Sequence, residues 1–170
     1  MDNKELLFST WLEELADRYG DKPALTCRST LTYNQLLEAS KRCAGILIGA
    51  GLEKGDRVVL WSINGLGWMV CFYGIAMAGG VATLMNYGLN AEDATALTKM
   101  TGAKWAIIGG NKVSAADPMQ AGMAVVMGGV PQDNIFPLPD LYKASMDFED
   151  PLMRKNIMHV PLRSNRKTRS

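Results

Sequence analysis

Histidine is almost missing from this chain. There is one, His159, among 170 residues. A His-rich metal site is therefore excluded, and a Cys–His nucleophile would rest on a single residue in a weakly patterned tail. Cysteine is scarce too: Cys27, Cys43 and Cys71, an odd number with no two close in sequence. That excludes a disulfide framework and a zinc-finger spacing, and predicts buried free thiols in a reducing compartment, the cytoplasm. Net charge is only +1, so nothing pulls the chain toward nucleic acid or an acidic membrane surface. The basic tail Arg163, Arg166, Lys167, Arg169 reads as a short solvated terminus rather than a phosphate-binding arm. There is no Walker-type Gly-Lys-Ser/Thr, no repeat of fixed period and no low-complexity tract.

Charge is also lacking locally. No charged residue falls between Arg57 and Glu92, and Leu66 to Met85 is mostly apolar. Length alone permits a membrane-spanning helix there. Gly79-Gly80 breaks the run, Val81-Ala82-Thr83-Leu84 is better strand than helix, and Asn64 and Asn86 mark its ends as turns. The expectation is a buried helix followed by a buried strand, with no membrane span. The start, Met1-Asp2-Asn3-Lys4-Glu5, is polar and charged, with no secretory apolar core behind it.

What is present is ordinary globular material. Apolar residues make up 48% and charged residues 21%, enough for one domain with a core. Phe8, Trp11, Leu12, Leu15, Ala16 and Tyr19 recur at three-and-four spacing, the mark of one buried helix face. Gly20 ends that helix and Pro23 prevents its restart. Ala24 to Cys27 reads as a strand and Arg28-Ser29-Thr30 as a turn. Thr32 and Gln35 then form a capping box for a helix running through Leu36, Leu37, Cys43, Ala44, Leu47 and Ile48 to Gly51.

Lys54-Gly55-Asp56 turns into a strand at Arg57 to Trp61. A helix from Leu66 to Ala78, a strand from Val81 to Met85, a helix capped by Asn90 with Glu92 and Asp93 in its first turn, and a strand from Lys104 to Ile108 follow. A weaker helix is expected from Val113 to Gln120 and a strand from Met123 to Met127. Beyond Gly128-Gly129, Pro131, Pro137, Pro139 and Pro151 interrupt the pattern, leaving one short helix at Leu141 to Ser145. Strict alternation with wholly apolar strands predicts an α/β fold, a parallel sheet covered by helices on both faces. Residues 1–150 read as the domain and 151–170 as a weakly structured tail.

No assembled site emerges from these residues. Gly65-Leu66-Gly67 follows a strand and opens a helix, the place for a phosphate-binding turn. Position 70 is Val70 rather than the third glycine of a dinucleotide fingerprint, so close helix–strand packing is the expected role. Gly109-Gly110 and Gly128-Gly129 read as loops needing positive φ. Glu13, Glu14 and Asp17, and likewise Asp147, Glu149 and Asp150, read as solvated surface. Trp11, Trp61, Trp68 and Trp105 read as core.

The order of short blocks adds a resemblance. Leu31-Thr32-Tyr33-Asn34-Gln35-Leu36, Leu52-Glu53-Lys54-Gly55-Asp56-Arg57-Val58, Asn64 with Trp68, Phe72 through Val81, Asn86, and Gly102-Ala103-Lys104-Trp105-Ala106-Ile107-Ile108 follow one another as in the adenylate-forming enzymes, the acyl-CoA synthetase and AMP-binding family. The resemblance covers Leu6 to Ile108. It departs at Gly67, where the family carries an acidic residue, and at Leu84 and Tyr87, where it commonly carries prolines.

The resemblance implies the N-terminal subdomain of that fold, truncated, from a ligase that forms an acyl-adenylate from a small-molecule carboxylic acid and ATP and passes the acyl group to CoA, as in fatty acid metabolism. The family's phosphate loop ending in Pro-Lys-Gly, its Tyr-Gly-x-Thr-Glu block, its ribose-holding Asp and its catalytic Lys have no counterpart in the sequence. The expectation is therefore a scaffold without chemistry of its own: no catalytic, cofactor-binding or metal residue is assigned, and ATP, Mg²⁺ and CoA belong to the full-length family. Self-association through exposed sheet edges is expected. A free-standing binding or interaction module, or a small Rossmann-like nucleotide binder, are the alternatives.

Overall fold

The computed structural model describes residues 8–109, 130 and 132–147. Helix α1 runs Phe8–Tyr19. Leu12 and Ala16, one turn apart, are buried, whereas Trp11 is 42% exposed. The buried stripe is thus narrower than the spacing predicts. Trp11 lies about 100° around the helix from Leu12 and falls outside the stripe.

Gly20, at φ +50°, donates to Ala16 O at 2.7 Å and ends α1. Strand β1, Pro23–Thr26, pairs antiparallel with β2, Thr30–Thr32. Thr30, expected in a turn, begins this second strand. Only the tip at Cys27 to Ser29 turns, closed by Cys27 N–H to Ser29 O at 2.9 Å. Cys27 is exposed there, against the expectation of a buried thiol, because a two-stranded hairpin has no interior at its tip.

Helix α2, Tyr33–Gly49, begins with the expected capping box. Thr32 Oγ1 accepts the Gln35 N–H at 3.2 Å, and Gln35 Oε1 accepts the Thr32 N–H at 3.0 Å. Strand β3 is Arg57–Trp61, helix α3 Leu66–Met77 and strand β4 Val81–Leu84. The apolar run is therefore split. At 1.5 Å per residue α3 is about 18 Å long, well short of a bilayer core, and no described helix is long and apolar enough to cross a membrane. Helix α4, Ala91–Thr101, has Asn90 as its cap and ends at left-handed Gly102; β5 is Trp105–Ile108. Past a short 3₁₀ turn come β6, Ile135–Pro137, and α5, Leu138–Met146. The expected elements at Val113 to Gln120 and Met123 to Met127 lie outside the described residues, as do His159 and the basic tail.

The main sheet has the order β4-β3-β5-β6, every pair parallel. Side-chain alternation sorts the strands onto two faces. Val58, Leu60, Trp105 and Ile107 pack with α1, α2, α3 and α5. Val59, Trp61, Ala106 and Ile108 pack with α4 through Ala94 and Leu97. Coverage on both faces explains why these strands read as apolar runs.

Candidate functional site

Because β3 and β4 are parallel neighbours, their C-terminal loops lie side by side at one rim of the sheet, the usual ligand-binding end of such folds. A pocket of about 470 Å³ opens there. Ser62, Ile63 and Asn64 line it from the loop after β3. Leu84, Met85, Asn86 and Tyr87 line it from β4 and its loop, and Trp68 from the first turn of α3.

The two loops are tied together. Trp61 Nε1–H donates to Asn86 O at 3.1 Å, and Asn86 Oδ1 accepts the Gly88 N–H at 2.8 Å. Trp68 stacks on Phe72 with centroids 5.5 Å apart and planes 7° from parallel. Ile63 and Leu84 are each more than half exposed, so the rim is apolar. The lining thus offers an indole face, two carboxamides, a phenol and a hydroxyl. These suit a ligand with planar or neutral polar parts. The lining holds no carboxylate and no cation, and so does not fit a Mg²⁺ ion or a triphosphate. Among the described residues no group of three or more His, Cys, Asp or Glu is placed to hold a metal.

Two glycines near the rim act through close approach. Gly67 is buried in α3, where a Cβ would lie 2.9 Å from Leu138 Cδ2 and 3.1 Å from Tyr142 Cγ. The helix–strand packing expected of Gly65-Leu66-Gly67 is not what forms: Gly67 packs against helix α5 instead, and a Cβ at Gly65 would meet nothing within 4 Å. Gly109 was expected to need positive φ. It does not adopt it; a Cβ there would instead meet Ser62 Oγ at 2.5 Å. Gly110, Gly128 and Gly129 lie outside the described residues.

The remaining sequence candidates distribute as follows. Trp61 and Trp105 are buried, and Trp68, expected in the core, is half-buried because it faces the pocket. Glu14 and Asp17 are exposed, but Glu13 pairs across to Lys41 of α2 at 3.1 Å. Asp147 is exposed; Glu149 and Asp150 are outside the described residues. Nothing in the spacing of Asn64, Trp68 and Asn86 along the chain joins them in a common role. The signal that unites them is position, each following the C-terminal end of a parallel strand.

Comparison with known proteins agrees with this architecture. The family model for "AMP-binding enzyme" matches residues 12–150. The long-chain-fatty-acid–CoA ligase FadD13 of Mycobacterium tuberculosis is 34% identical over 91 residues, which are 54% of this chain and 18% of that protein. The crotonobetaine/carnitine–CoA ligase of Escherichia coli is 33% identical over 89 residues, 49% of this chain and 17% of that protein. The matched stretch is thus under a fifth of these relatives' length. Among solved structures, the N-terminal domain of FACL13 from M. tuberculosis superposes with a TM-score of 0.68 at 26% identity, covering 82% of this chain and 35% of that one. An M. tuberculosis fatty acyl CoA synthetase gives 0.72 at 26% identity, covering 86% and 29%. With a family match across most of its length and a sheet shared with the N-terminal domains of such ligases, the chain belongs to the AMP-binding enzyme family.

Proposed function

We propose that this chain is the N-terminal scaffold of an ATP-dependent carboxylic acid–CoA ligase, and that the rim pocket is one wall of that enzyme's substrate cleft. The observation that carries the reading is the family match over residues 12–150, joined to the superposition on an acyl-CoA ligase's N-terminal domain. The whole enzyme would join a carboxylate to AMP with release of pyrophosphate, then pass the acyl group to CoA with release of AMP. Its substrate is a small-molecule acid, and ATP, Mg²⁺ and CoA act in the whole enzyme.

By itself the chain does not activate an acid. Charge developing on the transferred phosphate groups needs cations, or donors aimed at it, around it, and the pocket lining supplies no cation and only neutral side-chain donors. Residues 1–150 form the working unit, residues 151–170 are a tail, and the protein resides in the cytoplasm. Because β4 ends the described sheet with Val81 and Leu84 half exposed and no charge on the strand, the isolated chain associates with further copies along that edge.

A chimera tests the reading. Residues 12–108 replace the aligned stretch of the FadD13 relative, and acyl-CoA formation is measured beside ATP–pyrophosphate exchange by the present chain alone. The expected result is activity in the chimera and none in the isolated chain. A chimera that folds to a compact protein yet forms no acyl-adenylate overturns the scaffold assignment. Exchange catalysed by the isolated chain overturns its inactivity.

A further inference from the structure

We propose that Cys43 and Cys71 form a dithiol pair that closes into a disulfide, a redox-operated staple between α2 and α3. Both residues are fully buried, and the helices that carry them approach closely at Gly74. A Cβ at position 74 would lie 2.5 Å from Cys43 Sγ and 2.7 Å from Cys43 Cβ. The Cys43 thiol therefore occupies the space that a side chain on Gly74 would fill. Cys71 stands three residues before Gly74, on the same face of α3 and one turn back. That puts Cys71 beside Cys43 in one buried cluster, and Cys43 is the group that acts on Cys71 most strongly. A disulfide requires Cβ atoms about 3.5–4.5 Å apart, a separation that only backbones in such close contact allow. The remaining cysteine, Cys27, is exposed on the hairpin tip and takes no part.

The oxidant is a small hydroperoxide, able to enter a packed interior during brief openings. One sulfur attacks the O–O bond, giving a sulfenic acid and releasing water or an alcohol. The partner sulfur then attacks the sulfenic sulfur. The S–O bond breaks, water leaves with the second thiol's proton, and the S–S bond forms. The two sulfurs supply the two electrons that reduce the peroxide. An external dithiol reverses the change by exchange. The neighbouring Cys43 thiol, and then burial, hold Cys71 well above its ordinary value of 9.0, so this thiol stays protonated at neutral pH and the pair closes slowly.

The staple has a structural consequence. It joins α2 to the helix whose first turn presents Trp68 to the pocket, and it encloses β3 in a covalent loop, restricting the unfolded chain. Oxidation thus stiffens the support of the rim.

The test uses the full chain and its Cys27→Ser variant, whose substitution is at an exposed site outside the pair. Each is treated with hydrogen peroxide, quenched, denatured and alkylated with N-ethylmaleimide, then weighed and peptide-mapped. The expected result is a loss of two hydrogens and a linked Cys43–Cys71 peptide. The variant then takes up no label and the native chain takes it up at Cys27 alone. Dithiothreitol restores labelling, and the thermal midpoint of the oxidised form is raised. Full labelling of Cys43 and Cys71 after peroxide overturns the proposal, as does oxidation that ends in sulfinic acid or in intermolecular links.

Discussion

Asp56 and Trp105, 49 positions apart in the chain, are joined by a hydrogen bond of 2.9 Å from the indole Nε1–H to Oδ2. The same oxygen accepts the Glu53 N–H at 3.0 Å. One carboxylate therefore closes the turn before β3 and holds the first residue of β5. Lys104 N–H to Arg57 O, at 3.2 Å, continues the link into the backbone. Trp105 in turn stacks on Phe136 of β6, with centroids 6.3 Å apart. The fixed carboxylate thus acts on three strands.

Replacing Asp56 by Ala is expected to lower stability by about 2–3 kcal/mol, since a charged acceptor is lost and a buried indole N–H is left unsatisfied. Asp56→Asn retains a carbonyl acceptor and should lose roughly half as much. Urea denaturation followed by tryptophan fluorescence gives both numbers. An Asp56→Ala midpoint equal to that of an exposed-site control would remove Asp56 from this role.

Gly74 makes a second prediction. Gly74→Ala places a methyl group against Cys43, and overpacking of this kind costs about 1–3 kcal/mol. Cys43→Ala should rescue only part of the loss, because the Cβ of residue 43 remains 2.7 Å from the new methyl. A double-mutant cycle by chemical denaturation measures the coupling. Complete additivity would mean that the helices separate freely at this point.

These cases show which parts of the fold were legible in the sequence. The turn at Lys54 to Asp56, the capping box at Thr32 and the Asn90 cap are local devices, and each stands where its residues place it. Strands β3 and β5 were legible because burial on both faces makes them continuously apolar; β4, expected to be buried, is apolar yet half exposed at Val81 and Leu84 because it lies at the edge of the described sheet. Strand β6 was not. It is three residues long and ends at Pro137, and proline argues against a strand unless that strand lies at an edge, which only the assembled sheet reveals. The β2 strand was hidden because Thr32 serves both as its last residue and as the cap of α2. The pocket was illegible for a related reason: Asn64 and Asn86 meet only because β3 and β4 are neighbours in space.

Alkaline pH should weaken the fold. Cys71 is held well above its ordinary value by the Cys43 hydrogen bond and by burial. Tyr73 is raised by burial and then by Tyr33, and Tyr142 by burial. All three are neutral when protonated, so the native state keeps protons that the unfolded chain releases. Their stabilising contribution is complete below the unfolded-state values, 9.0 for the thiol and 10.0 for the phenols. It falls as pH rises through and beyond them. Denaturation midpoints measured from pH 7 to 11 should decline above about pH 9, and a flat profile would contradict the neutral burial of these groups.

The β4 edge is expected to govern solubility. Charged side chains on an edge strand oppose pairing with another copy, and β4 has none. Val81→Lys and Leu84→Lys together should shift the chain from associated species toward monomer in size-exclusion chromatography at micromolar concentration. Because both side chains are about half exposed, the folded state should lose less than about 1 kcal/mol. An unchanged elution profile would place the contact elsewhere.

The final prediction concerns Gly67, the position at which the resembling family carries an acidic residue. Here α5 lies across that position, with Leu138 Cδ2 2.9 Å and Tyr142 Cγ 3.1 Å from where a Cβ would stand. Restoring the acidic residue by Gly67→Glu should therefore destabilise the chain, by about 1–3 kcal/mol for the overpacking alone and further because a carboxylate would enter a buried helix contact. Gly67→Ala isolates the steric part. Leu138 can swing its terminal methyl aside, whereas the Tyr142 ring is broad and half-buried. Tyr142→Ala should then rescue Gly67→Ala more fully than Leu138→Ala does. If Gly67→Glu is instead as stable as the native chain in urea denaturation, α5 yields readily and the glycine was not selected by this contact.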